Sequence, residues 1–411
     1  MVSGKFVLAL IDGGWSVDVV SLLHLPSQND PNGDNRLPHW AVLWTPLQAI
    51  THQVPVPSFI VPVASRRHAF IKRIVGLTVW IIKSVLLSYR LHSRFSYEVL
   101  ISRSSPFAAQ IPAFILSKIT RLPWIANWND PVGIIVPYSI SGISFKLEKS
   151  KRIFRFIIRL IARCISWHTF PSERLRVLYK KVYGKRLFLN SSVVPHAAIH
   201  LPSIVKNDDD ASRFIICHAG SISSDGRSPE VFFQGLRLFL NRLKGVPPVR
   251  FVMIGRYHRG LDALLEKYRL TGIVNCVGLL DYYETISLTA GCDVLLIVEG
   301  DYGKGYFLPS KLIDCVQVGK PILAISPKKG TVSDIIRKNG GGVLADGTSA
   351  ESVSDALALL FKHWEKGSLQ QTYSSHKLLR LFSADAIVGH YERIIEKISC
   401  RCSEDGLRDR N

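Results

Sequence analysis

Two apolar runs, Asp293-Val-Leu-Leu-Ile-Val298 and Ile322-Leu-Ala-Ile325, constrain this chain more than any other feature. Both are short and aliphatic without polar alternation, as suits a strand buried on both faces. Between them lies a loop punctuated by Gly300, Gly303 and Gly305, followed by Tyr306 and Phe307. Leu308-Pro309-Ser310-Lys311 then reads as a helix start, and Gly319 stops the helix just past Val318. Strand, loop, helix, strand is one βαβ unit, which predicts a parallel sheet.

Such a unit suits an anionic ligand. Glycines let backbone N–H groups approach closely, and a helix start offers unsatisfied donors with a partial positive charge. Lys311 adds a full charge at that end, and Asp314 lies one turn later on the same face. Phosphates held by Lys311 and the backbone, with a ribose diol at Asp314, is the chemistry this spacing predicts. An ordinary loop whose Lys and Asp face solvent fits the same pattern.

With 411 residues the chain exceeds one compact core, so two domains are expected. It carries 52 basic and 32 acidic residues, a net charge of +20. That charge suits nucleic acid, an anionic membrane or phosphorylated ligands. No zinc-finger spacing and no RNA-recognition aromatic signature accompany it, so nucleic acid rests on charge alone and is not expected as a partner. Seven cysteines without a CxxC pair read as reduced thiols of a cytosolic protein. The start, MVSGKFVLALIDGGW, lacks the charged n-region and apolar length of a signal peptide. No uninterrupted apolar run reaches the length of a membrane span.

The chain opens on a helix, with Gly13-Gly14 and a strand over 16–23 after it. A doubly wound domain normally opens on a strand, so this domain is expected to lack its first strand or to be truncated before it. Residues 26–65 read as loops with one strand at 41–44. Two basic, apolar helices follow, over 66–94 and 146–165. Each fits either core packing or a membrane interface where cations meet anionic headgroups. Asp130, at the end of a strand over 122–127 and followed by Pro131 and Gly133, reads as a site candidate or as an Asx turn.

The polar stretch 200–212 reads as the linker. The second half then opens on strand 214–219 and the loop Gly220-Ser221 through Gly226-Arg227, and βα units continue to 366. The loop is not GxGxxG, so an NAD-type site is not expected. A final helix spans 384–398, and 401–411 reads as a disordered basic tail.

These segments resemble the GT-B glycosyltransferases of family 4 (glycosyl transferases group 1), of the bacterial type that builds surface polysaccharide. The resemblance rests on Phe214-Ile-Ile-Cys-His-Ala-Gly220-Ser with Arg227-Ser-Pro229, Phe251-Val-Met-Ile-Gly255 and Val277-Gly278-Leu-Leu-Asp-Tyr-Tyr-Glu284. It also rests on Leu308-Pro-Ser-Lys311-Leu-Ile-Asp314 with Gly319-Lys-Pro-Ile-Leu323. In the first half, Tyr97-Glu-Val-Leu-Ile-Ser with Ser105-Pro, and Leu122-Pro-Trp-Ile with Asp130-Pro, belong to the same pattern.

The resemblance implies an α/β chain of two Rossmann-like doubly wound domains facing a cleft. The acceptor domain is expected at 1–198, the nucleotide-sugar domain at 199–375, and a crossover helix at 376–400 packs back on the first. It implies a UDP- or GDP-linked donor, a glycan or lipid-linked acceptor, an anionic membrane surface on the cytoplasmic side, retention at the anomeric centre, and no metal or other cofactor. Donor contacts are expected from Gly220, Ser221, Gly255, Gly278, Gly305, Tyr306, Pro309, Ser310 and Asp314, and the reacting charges from Arg227, Lys311 and Asp130. Asp314 stands where the family has the second Glu of its E-x7-E motif, while Tyr306 replaces the first, so the motif is half kept. That departure, with the missing first strand and loop, leaves a catalytically weak or inactive GT-B protein as an alternative. A basic membrane- or polyanion-binding module is a further one, of a different class. An epimerase of the same fold lacks its expected His and Glu constellation.

Overall fold

A computed structural model describes residues 2–22, 45–55, 66–104, 106–134, 148–201, 212–220, 229–245, 248–256, 260–299 and 305–408. In chain order the first half contains α1 (Val2–Asp12), β1 (Val19–Leu22), β2 (Thr51–Val54), α2 (Arg66–Phe95), β3 (Leu100–Ser104) and α3 (Gln110–Thr120). It continues with β4 (Trp124–Trp128), α4 (Glu148–Ala162), β5 (Trp167–Phe170), α5 (Glu173–Tyr183) and β6 (Ser191–Val193). β1 and β2 form a parallel pair, and β3-β4-β5-β6 a second parallel sheet in sequence order. Among the described residues no strand pairs with the free edge of β1 or of β3.

β4 shows how this sheet is covered on both faces. Trp124, Ala126 and Trp128 point into a core with α3, α4 and α5, while Ile125 points into another with α1. Right-handed crossovers between parallel strands place α3, α4 and α5 on one face, and α2 lies against α3 in the same layer.

The second half holds β7 (Phe214–Ala219), α6 (Glu230–Leu240), β8 (Val249–Ile254), α7 (Leu261–Lys267), β9 (Val274–Gly278) and α8 (Tyr282–Ala290). β10 (Val294–Val298), α9 (Ser310–Val318), β11 (Ile322–Ser326), α10 (Thr331–Asn339), β12 (Gly342–Asp346) and α11 (Ala350–Glu365) complete it. All six strands are parallel, in the order β12-β11-β10-β7-β8-β9. Strand order reverses between β7 and β10, and ligands of open α/β sheets sit beyond the strand ends at such a point.

Three short-range signals fix the elements around that crevice. Gly319 takes the left-handed conformation, φ 78°, that ends α9. Asp281 and Glu284 cap each other's backbone at the start of α8. Pro309 precedes α9 in extended geometry, and its helix start has no side-chain cap.

After α12 (Leu369–Thr372) and α13 (His376–Phe382), α14 (Ala384–Arg408) returns to the first half. Its Ile387, Val388, Tyr391 and Ile394 share a core with Phe6 and Leu10 of α1 and Ile125 of β4.

Two sequence readings need correction. The expected disordered tail is helical through Arg408. Arg401 is anchored there, its guanidinium 5.5 Å from the centre of the Trp167 ring, with Lys397 one turn earlier over the same ring. Thr51-His-Gln-Val54, read as loop, is β2; its polar pair hides the strand signal. The strand expected at 41–44 lies outside the described residues.

Residues Ile74–Phe95 of α2 are long and apolar enough to cross a membrane, but Gly76, Trp80 and Ser84 are buried within the fold. The helix therefore lies on the protein with one side covered.

Candidate nucleotide site

A cavity of about 340 Å³ opens at the carboxyl ends of β7 and β8, against Leu295 and Leu296 of β10. Ala219, Gly220, Ile254 and Gly255 form its strand side, with Leu279 and Leu280 from the segment after β9. Tyr282, Thr285, Ile286 and Thr289 of α8, and Lys311, Asp314, Cys315 and Val318 of α9, form the helix side. Among the described residues Lys311 and Asp314 are the one cation and the one carboxylate of that lining; most of the rest is apolar. A mostly apolar slot with a cation and a carboxylate in its wall suits a largely apolar group carrying polar appendages.

The glycines create the floor. A Cβ on Gly255 would lie 2.8 Å from the carbonyl carbon of Gly220, and one on Gly220 would lie 2.3 Å from Lys311 Nζ. The backbone is tied across the strand ends, with Gly220 N–H donating to Ile254 and Gly255 N–H to Gly278. Lys311 Nζ lies 3.4 Å from His218 Nε2, while His218 Nδ1 lies 2.9 Å from the Leu296 carbonyl. An ammonium only donates and a carbonyl only accepts, so these partners select the neutral Nδ1–H tautomer of this buried histidine.

Asp314 is not isolated. Its Oδ1 accepts from the Tyr282 hydroxyl at 3.1 Å and from the ammonium of Lys5, on α1 of the first half. Lys5 also donates to Gln317 Oε1 at 2.7 Å and lies 4.9 Å from the Tyr282 ring centre. Burial lowers the Lys5 pKa, and Asp314 offsets part of that. Burial, then Asp314, raises the pKa of the Tyr282 hydroxyl.

The turn into α9 faces the first half. Ser172 Oγ, at the start of α5, donates to the Tyr306 carbonyl at 2.7 Å. Arg174 pairs with Asp334 of α10, its Nη2 at 2.9 Å from Oδ1. His196 is buried beside Leu308, with burial and then Arg103 depressing its pKa to about 3.

Of the residues singled out from the sequence, Gly220, Gly255, Lys311 and Asp314 meet at this cavity. Gly278, Gly305, Tyr306, Pro309 and Ser310 do not line it. Gly305 instead bridges to Gly330, Tyr306 is held toward Ser172, and the lining passes from Gly278 to the next two leucines. Asp130 is absent from the lining as well; its carbonyl accepts from Tyr179 OH at 2.7 Å, within the turn after β4. Ser221 and Arg227 lie outside the described residues.

Sequence reasoning missed Lys5, Tyr282 and Gln317. Tyr282 directly follows the Asp281 cap, a signal that places it at a helix start. Lys5 and Gln317 carry no such local mark. Among the described residues no group of three or more His, Cys, Asp or Glu is placed to hold a metal ion.

Two parallel α/β units joined by a returning helix, with the cavity at the crevice of the second, are the GT-B fold. Solved structures agree in fold. HepE from Anabaena, in complex with UDP and glucose, has a TM-score of 0.63 and 13% identity, covering 93% of this chain and 100% of that one. Sucrose-phosphate synthase from Thermosynechococcus elongatus has a TM-score of 0.64 and 14% identity, covering 97% and 92%. A glycosyltransferase from Rickettsia africae has a TM-score of 0.60 and 11% identity, covering 97% and 94%. No protein-family model matches the sequence. No curated protein matches it either.

Proposed function

We propose that this protein is a glycosyltransferase of family 4 type. It moves a sugar from a UDP- or GDP-linked donor to a glycan or lipid-linked acceptor, with retention, in the synthesis of surface polysaccharide. The observation that carries the reading is the placement of Lys311 and Asp314, one turn apart on α9, in a cavity whose described lining is otherwise uncharged and mostly apolar. The base occupies the apolar slot, the ribose diol donates to Asp314, and the diphosphate faces Lys311 and the uncapped start of α9. UDP is the first candidate nucleotide, because HepE of the same fold binds UDP and UDP-glucose.

In the transfer, the bond from the sugar's anomeric carbon to the β-phosphate oxygen breaks and a bond to the acceptor oxygen forms. The acceptor's proton passes to the departing phosphate. Negative charge thus grows on the leaving group, where Lys311 and Arg227 stabilise it. No metal or other cofactor is assigned.

The acceptor side works at the cytoplasmic membrane face. This part of the reading rests on the outer surface of the α2–α5 layer. Ile82 and Leu86 of α2 and Phe156 and Leu160 of α4 are exposed there, Phe156 at 65%. Lys83 and Arg90 stand among the first pair, and Arg155 and Arg159 flank the second. α2 and α3 contain no acidic residue. Such a mixture of cations and apolar side chains suits anionic headgroups.

A second reading, nucleotide-sugar binding with little turnover, is favoured by one observation: among the described residues Asp314 is the sole acid lining the cavity, and it is already paired. A thermal-shift screen with UDP, GDP and ADP tests the site. A ligand at 100 times its Kd adds about 2.7 kcal/mol of stability. UDP or GDP is expected to raise Tm, and Lys311→Ala and Asp314→Ala each diminish the rise. No shift with any nucleotide removes the site reading. Saturable binding without hydrolysis or transfer of any donor selects the second reading.

A further inference from the structure

We infer that Lys5 is a positioning residue of the nucleotide site, supplied by the first half, which holds Asp314 in the orientation that reads the ligand's vicinal diol. The inference rests on the nucleotide-site reading above and extends it to a residue on the other domain.

Lys5 is 4% exposed and Asp314 20%. An ammonium so enclosed is expensive to bury unless its donors are used. Here two of its donors go to Asp314 Oδ1 and Gln317 Oε1, and its charge lies over the Tyr282 ring. Gln317 is itself oriented, since its Nε2 donates to the Ile199 carbonyl at 3.1 Å. Among the described residues, the hydrogen-bond and ring partners of Lys5 are all in or beside the cavity wall, and none lies in the core of its own half.

Asp314 Oδ1 receives two donors, Lys5 and Tyr282. A carboxylate pinned at one oxygen by two donors from different helices has little freedom about its side-chain torsions. Its other oxygen is presented in a fixed direction, which a diol needs if it is to donate without rotamer cost. The ammonium also neutralises a carboxylate that otherwise stands beside an anionic diphosphate.

α1 is held in place by α14. The Phe6 and Tyr391 rings pack with centroids 5.0 Å apart. Gly13 sits so close to Val388 that a Cβ there would be 2.8 Å from its Cγ2. The crossover helix therefore sets the position of Lys5, and through it the nucleotide site senses how the two halves are placed.

Isothermal titration of UDP and of 2′,3′-dideoxyuridine diphosphate into wild type, Lys5→Met, Lys5→Arg and the Lys5→Met/Asp314→Asn double variant tests this. Lys5→Met is expected to weaken UDP binding at least tenfold, and Lys5→Arg to recover most of it. The dideoxy ligand should bind wild type and Lys5→Met alike, because it lacks the group that Asp314 reads. The double variant leaves no uncompensated charge, so it stays informative if Lys5→Met does not fold; it should bind the two ligands equally. Equal UDP affinity of wild type and Lys5→Met overturns the inference and leaves the nucleotide site standing. So does a double variant that still prefers UDP over its dideoxy form. A wild type that binds none of UDP, GDP and ADP overturns the site reading and this inference together.

Discussion

Gly220 and Lys311 share one space. A Cβ on Gly220 would lie 2.3 Å from both Cε and Nζ of Lys311, and Gly220 has φ of 123°. The lysine thus folds over a bare strand end and keeps its ammonium in the cavity. Gly220→Ala should act twice. Backbone strain should lower stability by about 1–3 kcal/mol. Displacement of Lys311 should remove most of the UDP-induced rise in Tm. Gly245→Ala is the control, since Gly245 also has positive φ, 75°, but has nothing within 4 Å of a Cβ. It should lose stability and keep the nucleotide response. If Gly220→Ala keeps the full response, the lysine does not depend on that space.

Ser172 serves both halves at once. Its Oγ accepts from the Leu175 N–H at 3.2 Å, capping α5, and donates to the Tyr306 carbonyl at 2.7 Å. Ser172→Ala should lose about 1 kcal/mol from the cap alone. It should also loosen the turn before α9, so amide hydrogen exchange over 305–309 is expected to speed up more than exchange elsewhere in the second half. Faster exchange confined to α5 would show that the second bond does not hold the turn.

How far the sequence was legible follows from the range of each interaction. The βαβ unit around α9 is written in adjacent residues: Pro309 before the helix, Gly319 after it, aliphatic runs on either side. The start of α8 is equally local, because Asp281 and Glu284 are three residues apart. Lys5 and Asp314 are separated by 309 residues, and no periodicity or spacing marks such a pair. Asp130 shows a different limit. Its strand-end position is local and legible, but sequence does not say which surface that end faces; its backbone carbonyl accepts from Tyr179 OH, and it is not in the lining of this cavity. Tyr306 meets the same limit: sequence gives the order of residues along a turn, and a long-range bond such as that from Ser172 to the Tyr306 carbonyl helps decide how the turn is held.

Two buried histidines should make the fold acid-sensitive. Burial depresses His168 to about 3, and burial with nearby Arg103 depresses His196 to about 3. Unfolded histidine titrates near 6.5. Between these values the unfolded chain binds protons that the folded chain refuses. Stability is therefore fully present above about pH 6.5 and falls as pH drops toward 3, by about 1.4 kcal/mol per pH unit for each histidine. His168 Nδ1 lies 3.0 Å from Trp128 Nε1, so His168→Gln can keep an acceptor there. Urea unfolding from pH 7 to 4.5 should show a slope reduced by about one proton in His168→Gln, whatever its absolute stability. An unchanged slope would mean that His168 is not held neutral.

The outer face of α4 gives the last test. Phe156, Ile157 and Leu160 are exposed beside Arg155 and Arg159 on a helix whose inner side, Ile158 and Ile161, is buried. Each cation near an anionic surface contributes on the order of 1 kcal/mol, and full burial of a Phe side chain about 1.5–3 kcal/mol. Wild type should sediment with vesicles containing phosphatidylserine, and the bound fraction should fall as salt rises, because the attraction is screened. Phe156→Glu/Leu160→Glu removes two apolar groups and adds two negative charges on that face. At about 1.4 kcal/mol per tenfold, binding should fall at least tenfold, while Tm and the UDP response stay as in wild type, since neither residue is in a core or in the cavity. Equal sedimentation of the variant would move the membrane contact elsewhere on the layer, to α2 with its exposed Ile82 and Leu86. Equal binding to vesicles of phosphatidylcholine alone would remove the role of charge.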